Sequence, residues 1–111
     1  MNKIAIPVID GALSTHFGHT EQFHIYEINE NIIVSEQIIT PQLQKPGLLP
    51  TLLANMGVTD IISRGMGERA IAQFYTHKIN VFIGVPIKSP AELVSDFLSR
   101  TLETSDNTCC K

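Results

Sequence analysis

Positive charge is the first thing this sequence is short of. Its 111 residues carry 8 Lys and Arg against 11 Asp and Glu, for a net charge of −3. A chain with no excess of cations has no general grip on phosphate backbones, so nucleic acid is excluded as a partner class. Long apolar runs are missing too. None approaches the ~18–20 residues that span a bilayer, and no membrane segment is expected. Cysteine is scarce: Cys109 and Cys110 are the only two, side by side and one residue from the end. Neighbouring cysteines rarely bridge each other, and a reducing cytosol disfavours the bond, so no disulfide framework exists. There is no Gly-x-Ser-x-Gly and no cysteine near a histidine in sequence, and Asp10 is the only carboxylate near a strand end beside the His16–His19 loop. Nucleophilic and two-metal hydrolytic chemistry therefore have little support. Asp10, beside Gly11, is explained as part of a turn. Met1-Asn2-Lys3-Ile4 moves straight into an alternating pattern without a signal peptide, which points to a cytoplasmic protein.

What is there suits one folded domain. Charged residues make up 17% and apolar residues 43%, a balance that favours a packed core over disorder. The length is that of a single domain, and it needs no staples. The domain is read over residues 1–102. Residues 103–111 read as a polar tail, expected to be mobile, that ends in Cys-Cys. No internal repeat or low-complexity segment interrupts the pattern.

Lys3 to Ile9 reads as a first strand closed by the turn pair Asp10-Gly11. Residues 10–21 have no period and read as a loop. Gln22 to Ile28 and Ile32 to Thr40 read as strands joined by a tight turn at Asn29-Glu30-Asn31. Leu48, Leu49, Leu52, Leu53 and Met56 fall on helical spacing, with Pro50 in the first turn and Gly57 at the end. Asp60 to Ser63 is a short strand. Glu68 to His77 is a helix with Ala70, Ile71, Phe74 and Tyr75 on one side. Asn80 to Gly84 is a strand apolar through its middle, as a buried parallel strand is. Ser89-Pro90-Ala91-Glu92 is a capping box opening a helix whose inner face carries Leu93, Val94, Phe97, Leu98 and Leu102. The order β-β-β-α-β-α-β-α predicts an α/β fold: a mixed five-stranded sheet with helices on both faces. The third strand, with Ile32, Ile33, Val34, Ile38 and Ile39, is expected at an edge, where it offers itself to another chain. Monomer and homodimer both stay open.

Two segments carry candidate chemistry. In Ser14-Thr15-His16-Phe17-Gly18-His19, two imidazoles stand three apart around a glycine that permits a tight bend, next to a strand end. Neutral imidazole is the commonest metal ligand and accepts iron. His24 reads as a strand histidine, and His77 as one that meets a helix dipole. The second segment is Gly65-Met66-Gly67-Glu68-Arg69-Ala70, between a strand and a helix, where free amides and a partial positive charge hold an anion. It matches the glycine spacing of a dinucleotide loop, but the next strand ends at Gly84-Val85-Pro86 with no acid for a ribose. Arg64 and Arg69 flank the turn and add charge toward an anion. Cys109 and Cys110 are potential thiolate ligands for a soft metal, with one a better candidate than both because adjacent ligands diverge.

Taken together, Ile4-Ala5-Ile6-Pro7-Val8, Asp10-Gly11, Leu13-Ser14-x-His16-Phe17-Gly18-His19 and Phe23-x-Ile25-Tyr26 resemble the start of the dinitrogenase iron–molybdenum cofactor biosynthesis family. Gly65-Met66-Gly67-x-Arg69-Ala70-Ile71 resembles its second signature. Val94-x-x-Phe97-Leu98 is similar to its third element. The resemblance covers residues 3–102. It implies a ribonuclease-H-like fold and a non-catalytic protein that binds or carries an iron–sulfur cluster or an iron–molybdenum cofactor precursor. Cluster-assembly or acceptor proteins would be its partners. It also implies that His16 is a cluster ligand; His19 and, from the tail beyond the resemblance, Cys109 and Cys110 stand beside it as further metal-ligand candidates. Gly18, Gly65, Met66, Gly67 and Arg69 would line the cofactor. The chain departs from many relatives in two places: Gln42–Gly47 holds no histidine, and Arg64 precedes the Gly-Met-Gly turn. These departures favour the alternative, a metal-independent protein-interaction or small-anion-binding module.

Overall fold

The strand read over Lys3 to Ile9 is covered on both faces, with Ile4 through Val8 buried. In the computed structural model, which describes residues 2–9, 12–13, 22–40, 49–86, 88–102 and 104, β1 (Asn2–Ile9) is the middle of the sheet. Its Ile4, Ile6 and Val8 enter one core cluster and Ala5 the other. β3 (Gln22–Asn29) pairs antiparallel along nearly all of β1, from Asn2↔Ile28 to Val8↔Gln22. β4 (Ile32–Ile39) pairs antiparallel with β3 and forms one edge. On the other side β5 (Asp60–Ile62) runs parallel to β1, and β6 (Asn80–Phe82) parallel to β5. The main path is thus β4-β3-β1-β5-β6, the mixed five-stranded α/β sheet expected. Pro7 lies past the last β1–β5 register pair, Ala5↔Ile61, so its missing N–H takes nothing from that ladder.

The expected loop over residues 10–21 is corrected at Ala12–Leu13. These residues form a two-residue strand, β2, that folds back on β1 with Ile9↔Ala12 and Val8↔Leu13. Only two residues separate Ile9 from Ala12 in sequence, and a connection that short returns a chain antiparallel at once. Because β3 already occupies the other side of Val8, β2 continues the line of β5 beyond its end. Two residues are too few to show an alternation.

The helices lie on opposite faces. α1 (Leu49–Asn55) and α2 (Glu68–Thr76) bring Leu53 and Phe74 to the cluster around Phe23, Ile25 and Ile61. α3 (Pro90–Ser99) brings Leu93 and Val94 to the cluster around Ile4, Ile6 and Ile62. α1 stops at Gly57, whose φ of +86° suits glycine far better than other residues. α3 starts at the expected box: the Ser89 hydroxyl accepts from the Glu92 amide at 3.3 Å and donates to Oε1 of Glu92 at 3.1 Å. It ends with Arg100 in the left-handed region, where the Thr101 amide reaches the Asp96 carbonyl at 2.9 Å. Tyr75 departs from its expected place on the inner side of α2, being 59% exposed. Successive helix residues sit ~100° apart, and Phe74 has taken the sheet-facing direction. The β3–β4 turn puts Glu30 and Asn31 at φ +53° and +64°, both positive as a two-residue hairpin requires. No helix among the described residues is long and apolar enough to cross a membrane.

Candidate functional site

The register of the parallel strands decides which loops meet. Ile4 is level with Asp60 and Ala5 with Ile61, so β5 ends while β1 has three residues still to run. The chain then passes Ser63 and Arg64 and reaches Gly65-Met66-Gly67 at the edge where β1 ends. At that same edge β2 stops at Leu13 and β3 starts at Gln22, opposite Val8. The two candidate segments are therefore anchored on one sheet edge, at the carboxyl ends of the parallel strands, where sites of α/β sheets lie. His16, Gly18 and His19 themselves lie outside the described residues, as do Cys109 and Cys110.

The Gly-Met-Gly turn is held from beneath. Ser63 is fully buried; its amide donates to the Phe82 carbonyl at 2.8 Å and its hydroxyl to the Gly65 carbonyl at 3.2 Å. The Gly84 amide donates to the Arg64 carbonyl at 2.9 Å, and Arg64 Nη1 donates to the Val85 carbonyl at 2.9 Å. Through that bond Arg64 has a structural role, tying the turn after β5 to the turn after β6. Met66 is fully buried in the cluster that holds Phe23 and Phe74, so it anchors the turn and leaves only its backbone for a ligand.

Gly67 is the N-cap of α2, at φ −70° and ψ 155°, and no side chain caps this end. The Ile71 amide opens the helical ladder on the Gly67 carbonyl at 3.1 Å. The amides of the first turn keep their donor capacity and the positive end of the helix dipole. Arg69 is exposed within that turn, and Glu68 is its acidic counterpart. The turn can therefore receive an anion through backbone donors and one guanidinium, with Glu68 opposing a large negative charge.

His24 is the strand residue expected: it pairs with Ile6 and Ile38 in the middle of three strands. Its Nδ1, however, is buried without a hydrogen-bond partner among the described residues, and its ring lies 6.5 Å from that of Tyr26. Nothing in the alternation of β3 signals an orphaned nitrogen. Tyr26 has its phenol pushed above the usual tyrosine value, first by burial and then by the neighbouring carboxylate of Glu36. His77 closes α2, and its Nε2 lies 3.3 Å from the Thr51 hydroxyl of α1, a helix-to-helix tie.

Other polar groups are structural. Asp60, 3% exposed, accepts from the Thr59 hydroxyl at 2.7 Å and from Asn80 Nδ2 at 3.0 Å, which pins the starts of β5 and β6. Among the described residues no three His, Cys, Asp or Glu side chains gather as metal ligands. Sequence reasoning missed a cavity of about 560 Å³ at the opposite edge of the sheet. Ile28, Phe82, Phe97 and Leu102 line it, with Asn2 and Arg100 among its polar residues. Phe82 and Phe97 meet edge to face there at 5.4 Å.

Comparison with known proteins places this geometry. The uncharacterised protein MJ0580 of Methanocaldococcus jannaschii is 39% identical over 85 residues, covering 72% of each chain. The crystal structure of PH0822 superposes with a TM-score of 0.87 over 95% of this chain and 96% of that one, at 24% identity. The crystal structure of mj0327 from Methanocaldococcus jannaschii gives 0.77 over 96% and 98%, at 22% identity. These two likenesses establish the fold. The family model described as dinitrogenase iron-molybdenum cofactor matches residues 1–100. The chain belongs to the dinitrogenase iron-molybdenum cofactor family, whose name associates it with that cofactor.

Proposed function

We propose that the protein is a non-catalytic carrier of an iron–sulfur cluster or an iron–molybdenum-type cofactor precursor. The carrying observation is that the N-terminus of α2, which no side chain caps, stands behind Gly65-Met66-Gly67 at the edge where β2 ends and β3 begins, the two strands that flank His16–His19 in sequence. Free amides with the helix dipole suit an anionic cargo, and imidazole with thiolate suits iron. In this reading His16 is a ligand, His19 a second ligand or anion partner, and Cys109 or Cys110 a soft ligand. Arg69 and the first-turn amides of α2 balance charge. Two antiparallel strands on one side of β1 and two parallel strands on the other also support the ribonuclease-H-like assignment. Partners in this scheme are proteins that assemble or accept the cluster, in the cytoplasm.

Anaerobic reconstitution with iron and sulfide tests the proposal by metal analysis and visible spectra. The wild type is expected to retain iron, and His16→Ala and the Cys109→Ser/Cys110→Ser pair are expected to lose it while keeping the circular dichroism of the fold. A wild type free of iron, or equal retention by all variants, favours the metal-independent module and removes the carrier reading.

A further inference from the structure

The outer edge of the sheet has a pattern that the carrier reading does not use. All of β4 but Ile39 is exposed, with Ile32 at 63%, Val34 at 54% and Ile38 at 52%. Its sequence, Ile-Ile-Val-Ser-Glu-Gln-Ile-Ile, has two isoleucines at each end, with Val34 and three polar residues between. It carries no lysine or proline, the usual guards of an open edge.

The bulge gives that pattern its meaning. Glu27 pairs with Ser35 and Ile28 with Ile33, so Val34 is the extra residue. Without it Ile33 and Ile38, five apart, would point to opposite faces. With it Ile33 pairs with Ile28 and Ile38 with His24, two β3 residues of the same parity, so both lie on the α3 face. Ile32 and Ile39, across from Asn29 and Phe23, share the other face.

We infer that β4 pairs antiparallel with β4 of a second copy, about a two-fold axis at Glu36, joining the two sheets edge to edge. A two-fold axis that makes two strands antiparallel runs perpendicular to the sheet, so like faces meet. Centred on Glu36, and with the bulge counted in both copies, Ile33 meets Ile38 and Ile32 meets Ile39, each twice. Ser35 then meets Gln37. Shifting the centre to Ser35 sets Ile33 opposite Glu36 and Ile32 opposite Gln37, and the match is lost. The bulge selects which apolar residues meet: without it the same centre would set Val34 opposite Ile38 and Ile33 opposite Ile39. An eight-residue strand is well below the ~20–30 residues a side of a standard interface, so the dimer is a weak one, with dissociation in the micromolar range. Glu36 facing its own copy is a like-charge pair that weakens it further.

Sedimentation velocity from micromolar to millimolar chain tests this. The wild type is expected to shift from monomer to dimer with concentration, and Ile38→Lys to stay monomeric with unchanged circular dichroism. Glu36→Gln is expected to tighten association about two- to fivefold. With Cys109 and Cys110 replaced by Ser, Glu36→Cys is expected to form a disulfide-linked dimer under mild oxidation, and Ile32→Cys alone is not. A wild type monomeric throughout, a dimer indifferent to Ile38→Lys, or cross-linking through Ile32→Cys and not Glu36→Cys overturns the inference.

Discussion

β1 and β4 are strands of equal length and similar composition, eight residues each and rich in isoleucine, yet they live in opposite surroundings. β1 has a strand on each side and helices over both faces, and Ile4 through Val8 are buried. β4 has one neighbour, and its apolar residues other than Ile39 stand in the open. The same side chain is therefore core in one strand and surface in the other. Position in the sheet, not hydrophobicity, decides what an isoleucine contributes. β1 holds the fold and sets the level at which the candidate loops emerge, while β4 can change without disturbing either.

Four substitutions probe this contrast. The largest effect is expected from Ile6→Ala in β1, which removes a fully buried side chain and should cost ~2–5 kcal/mol in urea unfolding. Next is Asp60→Ala, which strips Asn80 and Thr59 of their acceptor beside β1 and should cost ~1–3 kcal/mol by the same measurement. Glu30→Gly, in the turn that hangs β4 on β3, should stabilise by up to ~1 kcal/mol, because relief of the ~1–2 kcal/mol left-handed cost at φ +53° outweighs the ~0.4–1 kcal/mol of added unfolded-chain entropy. The smallest is Ile32→Ala in β4, expected within ~0.5 kcal/mol of the wild type in dilute solution. A cost for Ile32→Ala matching that of Ile6→Ala would erase the distinction between the strands.

Tyr26 adds a pH arm on the β3–β4 side. Burial and Glu36 raise its phenol above the ordinary tyrosine value, so the folded chain holds that proton after the unfolded chain has released it. Stability from this group is whole below the ordinary value and falls as pH rises through the raised one. Ultraviolet difference titration should show Tyr26 ionising late, and Glu36→Gln should bring it earlier without restoring it fully, because burial is the larger cause.

Much of the fold was legible because it is written in local chemistry. The Ser89 box, the end at Gly57 and the Glu30-Asn31 turn each follow from residue types within a few positions. The edge position of β4 followed from its place in the meander. What escaped depends on contacts between distant segments. β2 is too short to leave a period, Tyr75 lost the inward direction to Phe74, and the bulge at Val34 is set by pairing with β3. Of the candidate site, the two segments were legible each as a motif beside a strand end, while their sharing one edge follows from the β1–β5 register, which no local pattern shows. The engagement of Arg64 by Val85, the burial of Met66 and the orphaned His24 nitrogen were not, since none has a signature in neighbouring residues.

Where the cargo sits is best decided by amide-resolved NMR on the reconstituted protein. Loading with iron and sulfide should shift or broaden the amides of Gly67, Glu68, Arg69 and Ala70, with those of Leu13 and Gln22 next. The amides of Asn2, Ile28, Arg100 and Leu102, around the cavity at the far edge, should stay in place. Perturbation centred on the cavity residues, with α2 unmoved, would overturn the proposed placement.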